Sequence, residues 1–214
     1  GAGGILADGT VTLIQSSVTN NLAVGESVSG GGITFRPGST GLIDRSVVAF
    51  NVADDTSMTF VSAGGGIASG IGTTATIQDS VISGNEAEAG GGLSGAYRVL
   101  RSTVANNRAI GEGSSSRGGG MRLNGPSEVV NTTIIGNTTD GGGGGISYNS
   151  AAGTTRVQSS TIAANAGGGD GGDGDGLAAD KCAVRLDLHG AFPADGGAET
   201  KLVGGRRQVG GVAG

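Results

Sequence analysis

The chain has 214 residues, among them 48 glycines and 3 prolines, with 3% aromatic and 14% charged residues and a formal net charge of -5. Average soluble domains carry roughly 25% charged residues, so this chain is either low-complexity or a repeat protein with a thin core of small and β-branched side chains. The acidic balance without a basic run excludes a nucleic-acid footprint, and no stretch approaches the roughly 20 apolar residues of a membrane-spanning helix.

In chain order, the opening Gly1-Ala2-Gly3-Gly4 has neither Met nor a signal-peptide pattern, as expected of a processed or excerpted chain. From there two motifs alternate over residues 3 to 165. One is a glycine run followed by an aliphatic residue, ending at Ile5, Ile33, Ile67, Leu93, Met121 and Ile146. The other reads aliphatic-x-x-hydroxyl-x-aliphatic-x-x-Asn. Its first aliphatic column is Leu13, Ile43, Ile77, Val99, Val129 and Val157. The hydroxyls are Ser16, Ser46, Ser80, Ser102, Thr132 and Ser160, and the second aliphatic column is Val18, Val48, Ile82, Val104, Ile134 and Ile162. Asn21, Asn51, Asn85, Asn107, Asn137 and Asn165 close the six copies.

The asparagines are spaced by 30, 34, 22, 30 and 28 residues, the length of one supersecondary unit and enough for about three short strands. Period-two patterning and β-branched inward columns predict strands, and glycine runs exclude a helical solenoid, since each interior Gly costs about 1 kcal/mol against Ala. The predicted fold is all-β: a single-stranded right-handed parallel β-helix of about six to seven coils with a C-terminal cap. Stacking at roughly 4.8 Å would give a continuous aliphatic core and an asparagine amide ladder, with Asn and Gly suiting tight corners. Right-handedness follows from the general preference of parallel crossovers.

From each Asn to the next post-glycine aliphatic residue the chain takes 12, 16, 8, 14 and 9 residues, so one edge carries unequal insertions. The longest contains Asp54, Asp55, Met58 and Phe60, the candidate binding residues of that loop edge, because scaffolds of this kind place recognition on loops. After Asn165 the repeat stops. Residues 1–176 form the β-helix domain, ending in a Gly/Asp-rich loop where Asp170, Asp173 and Asp175 resemble part of a calcium nonapeptide. That match lacks a second copy, so the expectation is an acidic loop and no cofactor. Residues 177–214 are predicted to form the cap or a last irregular coil, where Cys182, Val184, Leu186 and Leu188 alternate with polar neighbours as in a half-buried strand. Cys182, the single cysteine, reads as a buried small hydrophobe, and His189, the single histidine, has no ligand set around it for a metal.

The paired glycine-aliphatic and x-x-Asn motifs resemble the polymorphic outer membrane protein repeats. The aromatic of their Phe-x-x-Asn signature is replaced here by the aliphatic residues of Val18-Thr19-Asn20-Asn21, Val48-Ala49-Phe50-Asn51 and Ile82-Ser83-Gly84-Asn85. The resemblance covers about three quarters of the chain and extends to the wider group of bacterial extracellular pectin-lyase-like β-helix proteins. It implies export, an extracellular or outer-cell-surface location, and a role in adhesion or as a passenger or stalk. It identifies no catalytic residue.

Catalysis on polysaccharides, common among parallel β-helices, needs carboxylates or a base converging from neighbouring coils. The best candidate is the outward column before the hydroxyl: Gln15, Arg45, Asp79, Arg101, Asn131 and Ser159. It reads as an exposed ion-pair ladder through Arg45, Asp79 and Arg101, or alternatively as a site with Asp79 as acid and no second carboxylate in register. The acidic pairs Asp54 with Asp55 and Glu86 with Glu88 read as solvated loop charges. The Asn-Thr-Thr sequons at Asn131 and Asn137 read as accidental, Asn137 being an inward ladder residue. Mixed outward chemistry argues against an ice-binding face. The expectation is therefore a non-enzymatic extracellular structural or adhesive module contacting a protein or glycan, or copies of itself. The alternatives are a polysaccharide lyase or hydrolase, and a subunit of a surface layer or filament.

Overall fold

A computed structural model of the chain describes residues 1–56, 62–111, 116–149 and 153–168. The first coil contains β1 (Ile5–Ala7), β2 (Thr10–Ile14), β3 (Ser17–Thr19) and β4 (Leu22–Gly25), and every later coil repeats this order. Corresponding strands stack into four parallel six-stranded sheets, here A to D after β1 to β4. The described chain is thus a parallel β-solenoid with six strands in each sheet.

Each coil holds four strands rather than the expected three. The fourth, in sheet D, is only two to four residues long and buries Ala23, Ala53, Ala87 and Ala109, whose single methyl groups give little hydrophobic signal. The aliphatic columns do line the core. In sheet A, Ile33, Ile67, Leu93 and Met121 are fully buried; Ile43, Ile77, Val99 and Val129 are buried in sheet B, and Val48, Ile82, Val104 and Ile134 in sheet C. Registers pair like with like, as in Ile77 with Ile43 and Val99, which keeps every inward column in line.

The corners on either side of sheet C have constant length. Between sheets B and C the chain turns through a left-handed residue, Gln15, Arg45, Asp79, Arg101, Asn131 or Ser159, with φ between 46° and 51°. The following hydroxyl accepts the N–H of its counterpart one coil earlier, as Ser46 does from Ser16 at 3.0 Å and Ser80 from Ser46 at 3.0 Å. Between sheets C and D the left-handed residue is Asn20, Phe50, Gly84, Asn106, Gly136 or Ala164, one position before the ladder asparagine. The ladder asparagines themselves are free of that conformation, because their side chains point inward to bond.

The amide ladder forms as expected. From Asn51 to Asn165, each Asn Oδ1 accepts the backbone N–H and the Nδ2 of the asparagine one coil earlier, at 3.0 and 2.9 Å for Asn107 receiving Asn85. The Nδ2 of each of these five also reaches the carbonyl of the second aliphatic column one coil earlier, Asn107 to Ile82 at 3.0 Å, whereas Asn21 bonds the Thr19 carbonyl. Asn51, Asn85, Asn107 and Asn137 are completely buried, so these bonds satisfy groups that water cannot reach.

The glycine runs complete the ladder. A Cβ on Gly32, Gly66, Gly92 or Gly120 would lie 3.0 Å from the side chain of the ladder asparagine in the same coil. The opposite walls of each coil therefore touch here, which explains why the two motifs alternate along the chain. From the second coil on, one glycine of each run, Gly30, Gly64, Gly90, Gly118 or Gly143, makes the turn into sheet A with φ between 62° and 72°.

Candidate binding site

The A-to-B corner varies in length, and there the stack loses a rung. Coil 3 turns through Gly70 to Thr73 and coil 5 through Asn124 to Pro126, whereas coil 4 has only Ala96 and Tyr97 between Leu93–Gly95 and Arg98–Leu100. Strand pairing in sheet B follows this deficit: Thr74 and Ala75 pair with coil 2, but pairing with coil 4 begins only at Thr76 with Arg98.

Side chains hold the short turn in place of the missing backbone rungs. The Ala96 N–H donates to Ser69 Oγ at 3.0 Å and the Tyr97 N–H to Ser127 Oγ at 3.2 Å. Tyr97 turns into the core, where its hydroxyl lies 2.8 Å from the Ser94 carbonyl and 3.1 Å from that of Ile67. Burial holds its phenol far above the usual range.

Above this turn lies a groove of about 850 Å³. Coil 3 forms one wall with Gly70 to Thr73, Ala96 the floor, and coil 5 the other wall with Asn124 and Pro126. Ile71 stands at the rim, 92% exposed. At the sheet B end, Glu128 is bracketed by two guanidinium groups, Arg98 at 2.8 Å and Arg156 at 3.7 Å. The charged residues that line the groove, Arg98 and Glu128, neutralise each other, leaving hydroxyl, amide and backbone groups to make specific contacts.

The candidate residues read from sequence lie elsewhere. Asp54 and Asp55 belong to a strand, Val52–Asp55, and point to opposite sides: Asp54 is exposed, while buried Asp55 accepts the Ser27 N–H at 2.8 Å. Met58 and Phe60 lie outside the described residues, as do Asp170, Asp173, Asp175, Cys182, His189 and the region 177–214. Glu86 and Glu88 are also not merely solvated: Glu86 sits in a strand 3.6 Å from Arg108, and Glu88 accepts the Ser62 N–H at 2.6 Å. Asn137 is buried in the ladder, as its position implies.

The outward column forms only part of its ladder. Arg101 grips Asp79 with two hydrogen bonds, at 2.8 and 2.6 Å. Arg45 instead pairs at 2.9 Å with Asp44 of its own coil, whose other oxygen takes Gln78 Nε2 at 3.1 Å. Both arginines sit in the same left-handed turn, but Arg45 follows an acid, Asp44, whereas Arg101 follows Leu100 and reaches to the neighbouring coil for its partner. The Arg101 hydrogen bond, with the charges of Arg101 and Arg45, holds the Asp79 carboxyl below the usual carboxylate value. A carboxyl so held has no proton to give near neutral pH, the reverse of what a general acid requires.

Sequence reasoning missed Ile71, Arg98, Asn124 and Glu128. The available signal was the spacing of the aliphatic columns: six residues separate Leu93 from Val99, against eight to eleven in the other coils. Comparison with family models, curated proteins and solved structures finds no match for this chain.

Proposed function

We propose that the chain is a non-enzymatic structural and adhesive β-helix module, displayed outside the cell, that holds a protein or glycan partner in the coil 4 groove. The observation that carries the reading is the groove itself: a concave, charge-compensated site where the A-to-B turn of coil 4 falls short of those of coils 3 and 5. The charge state of the best carboxylate also favours binding over hydrolysis, since Asp79 is kept ionised by Arg101. The extracellular setting rests on the likeness of the glycine and asparagine motifs to exported surface repeats.

The test is to probe the immobilised full chain on glycan and extracellular-protein arrays, beside a Thr74→Trp variant. Thr74 is exposed at the groove mouth, on a strand where Trp is well tolerated. Binding that falls at least about tenfold in the variant, equivalent to 1.4 kcal/mol, supports the reading. Binding unchanged by the variant, or none on either array, overturns it.

A further inference from the structure

We infer that the groove accepts an extended polypeptide segment of a partner, which takes the place of the rung that coil 4 lacks. The inference rests on the groove being the binding site and goes on to name the class of its occupant.

Stacked rungs lie about 4.8 Å apart, so the outer parts of the coil 3 and coil 5 turns, beyond the point where Gly125 rests on Ala96, face each other across about two rungs, roughly 9.6 Å. That spacing admits one extended backbone midway, at ordinary hydrogen-bonding distance from both walls. The walls offer the groups it needs. Among the described residues, the Ile71 N–H and both backbone groups of Gly72, at the centre of a turn closed by the Thr73 N–H on the Gly70 carbonyl at 3.2 Å, make no hydrogen bond, and neither does the Asn124 side-chain amide. Elsewhere in the stack such groups are taken by the next rung, as when Gly38 donates to the Ile71 carbonyl at 3.1 Å. An unpaired backbone edge is a template for strand addition.

Charge and shape favour peptide over sugar. The lining charges, Arg98 and Glu128, are paired with each other, so the site matches a neutral backbone better than a charged polymer. Tyr97, the aromatic residue lining the groove, is 3% exposed and gives no ring face for a sugar to stack on. In a bound strand alternate side chains would point to the floor above Ala96 and out to solvent.

The experiment selects a random seven-residue peptide display library on the full chain, with a glycan array run in parallel. Two variants accompany it: Asn-Gly inserted between Ala96 and Tyr97, which gives coil 4 a four-residue turn like that of coil 3, and Thr74→Trp in case the insertion fails to fold. Enriched peptides should bind at least tenfold more weakly to a folded variant, and N-methylation of a bonding amide should weaken them about tenfold. Peptides that ignore both the variants and N-methylation overturn the inference. Glycans bound and lost in the variants, with no peptide enriched, overturn it while leaving the adhesive reading standing. No ligand of either class removes both.

Discussion

Replacing one central ladder residue, Asn107→Ala, tests the claim that the asparagines hold the coils together. Asn107 makes four side-chain hydrogen bonds: it accepts from the Asn85 backbone N–H and Nδ2 at 3.0 and 2.9 Å, and donates to the Ile82 carbonyl and Asn137 Oδ1 at 3.0 and 2.9 Å. After truncation the Asn85 N–H has lost its acceptor, while one Asn85 amide hydrogen and the Ile82 carbonyl have each lost a partner. Asn137 Oδ1 keeps the Asn107 N–H at 3.0 Å. All four asparagines from Asn51 to Asn137 are completely buried, so water cannot substitute. At about 1–3 kcal/mol for each of the three deprived groups, the expected loss is about 3–9 kcal/mol. Urea denaturation followed by circular dichroism reads the loss, and hydrogen exchange at the Asn85 amide localises it. Asn165→Ala is the control: half-buried, with three side-chain bonds, it should lose about half as much. A loss below about 1 kcal/mol for Asn107→Ala, with the Asn85 amide still protected, would refute the reasoning, since it is smaller than one unsatisfied buried donor costs.

Three further outcomes are expected. Gly120→Ala should destabilise by about 3 kcal/mol or more, because its Cβ would lie 2.6 Å from the Gly145 carbonyl oxygen and 3.0 Å from Asn137 Cγ. Gly72→Ala, with φ of 73° but no atom nearer than 3.9 Å, should cost only about 1–2 kcal/mol; equal thermal shifts for the two would contradict the wall-to-wall contact. Tyr97 should stay protonated in the folded chain well above its ordinary value of 10.0, since burial favours the neutral phenol. Its contribution is complete below that value and is lost as pH rises further, so a Tyr148→Phe background should show phenolate absorbance only together with unfolding. Asp79 behaves in the opposite sense: its lowered value stabilises the fold above the ordinary 3.8 and is lost as pH falls through it, so Asp79→Asn should flatten the acid-side decline of the urea midpoint. An unchanged acid slope would mean that the Arg101 pair contributes nothing measurable, as many exposed pairs do.

The repeat, the inward columns and the amide ladder were legible because stacking forces one residue type into one column, and six copies make a column visible. Sheet D was not legible, since Ala23, Ala53, Ala87 and Ala109 are too small to stand out from a chain rich in alanine and glycine. The left-handed residue of each C-to-D corner was misplaced by one position: Asn tolerates that backbone, but here its side chain is needed inside, and Asn20, Phe50 or Gly84 takes the bend instead. The groove was half visible. The spacing of 22 residues between Asn85 and Asn107 marks coil 4 as short, but measuring loops from asparagine onward credits the deficit to the D-to-A edge and conceals the share lost between Leu93 and Val99. Ion pairing was legible only as far as column membership: Arg45 and Arg101 share one backbone conformation, yet Arg45 pairs with the acid beside it, Asp44, and Arg101 with Asp79 of the neighbouring coil.

Two of the four corners never change length: two residues separate sheet B from sheet C and sheet C from sheet D in every coil, whereas the other two corners vary from coil to coil. The invariant corners carry the hydroxyl and amide ladders, so an inserted residue there would break contact with both neighbouring coils at once. The cross-section therefore has a locked half and an editable half. Foreign segments grafted into the A-to-B or D-to-A turns should leave the stack intact, while one residue added beside Ser80 or Asn85 should uncouple the coils on either side. For a lineage of such chains, new recognition would arise by lengthening or shortening turns on the editable half, and the locked half would keep the count of rungs.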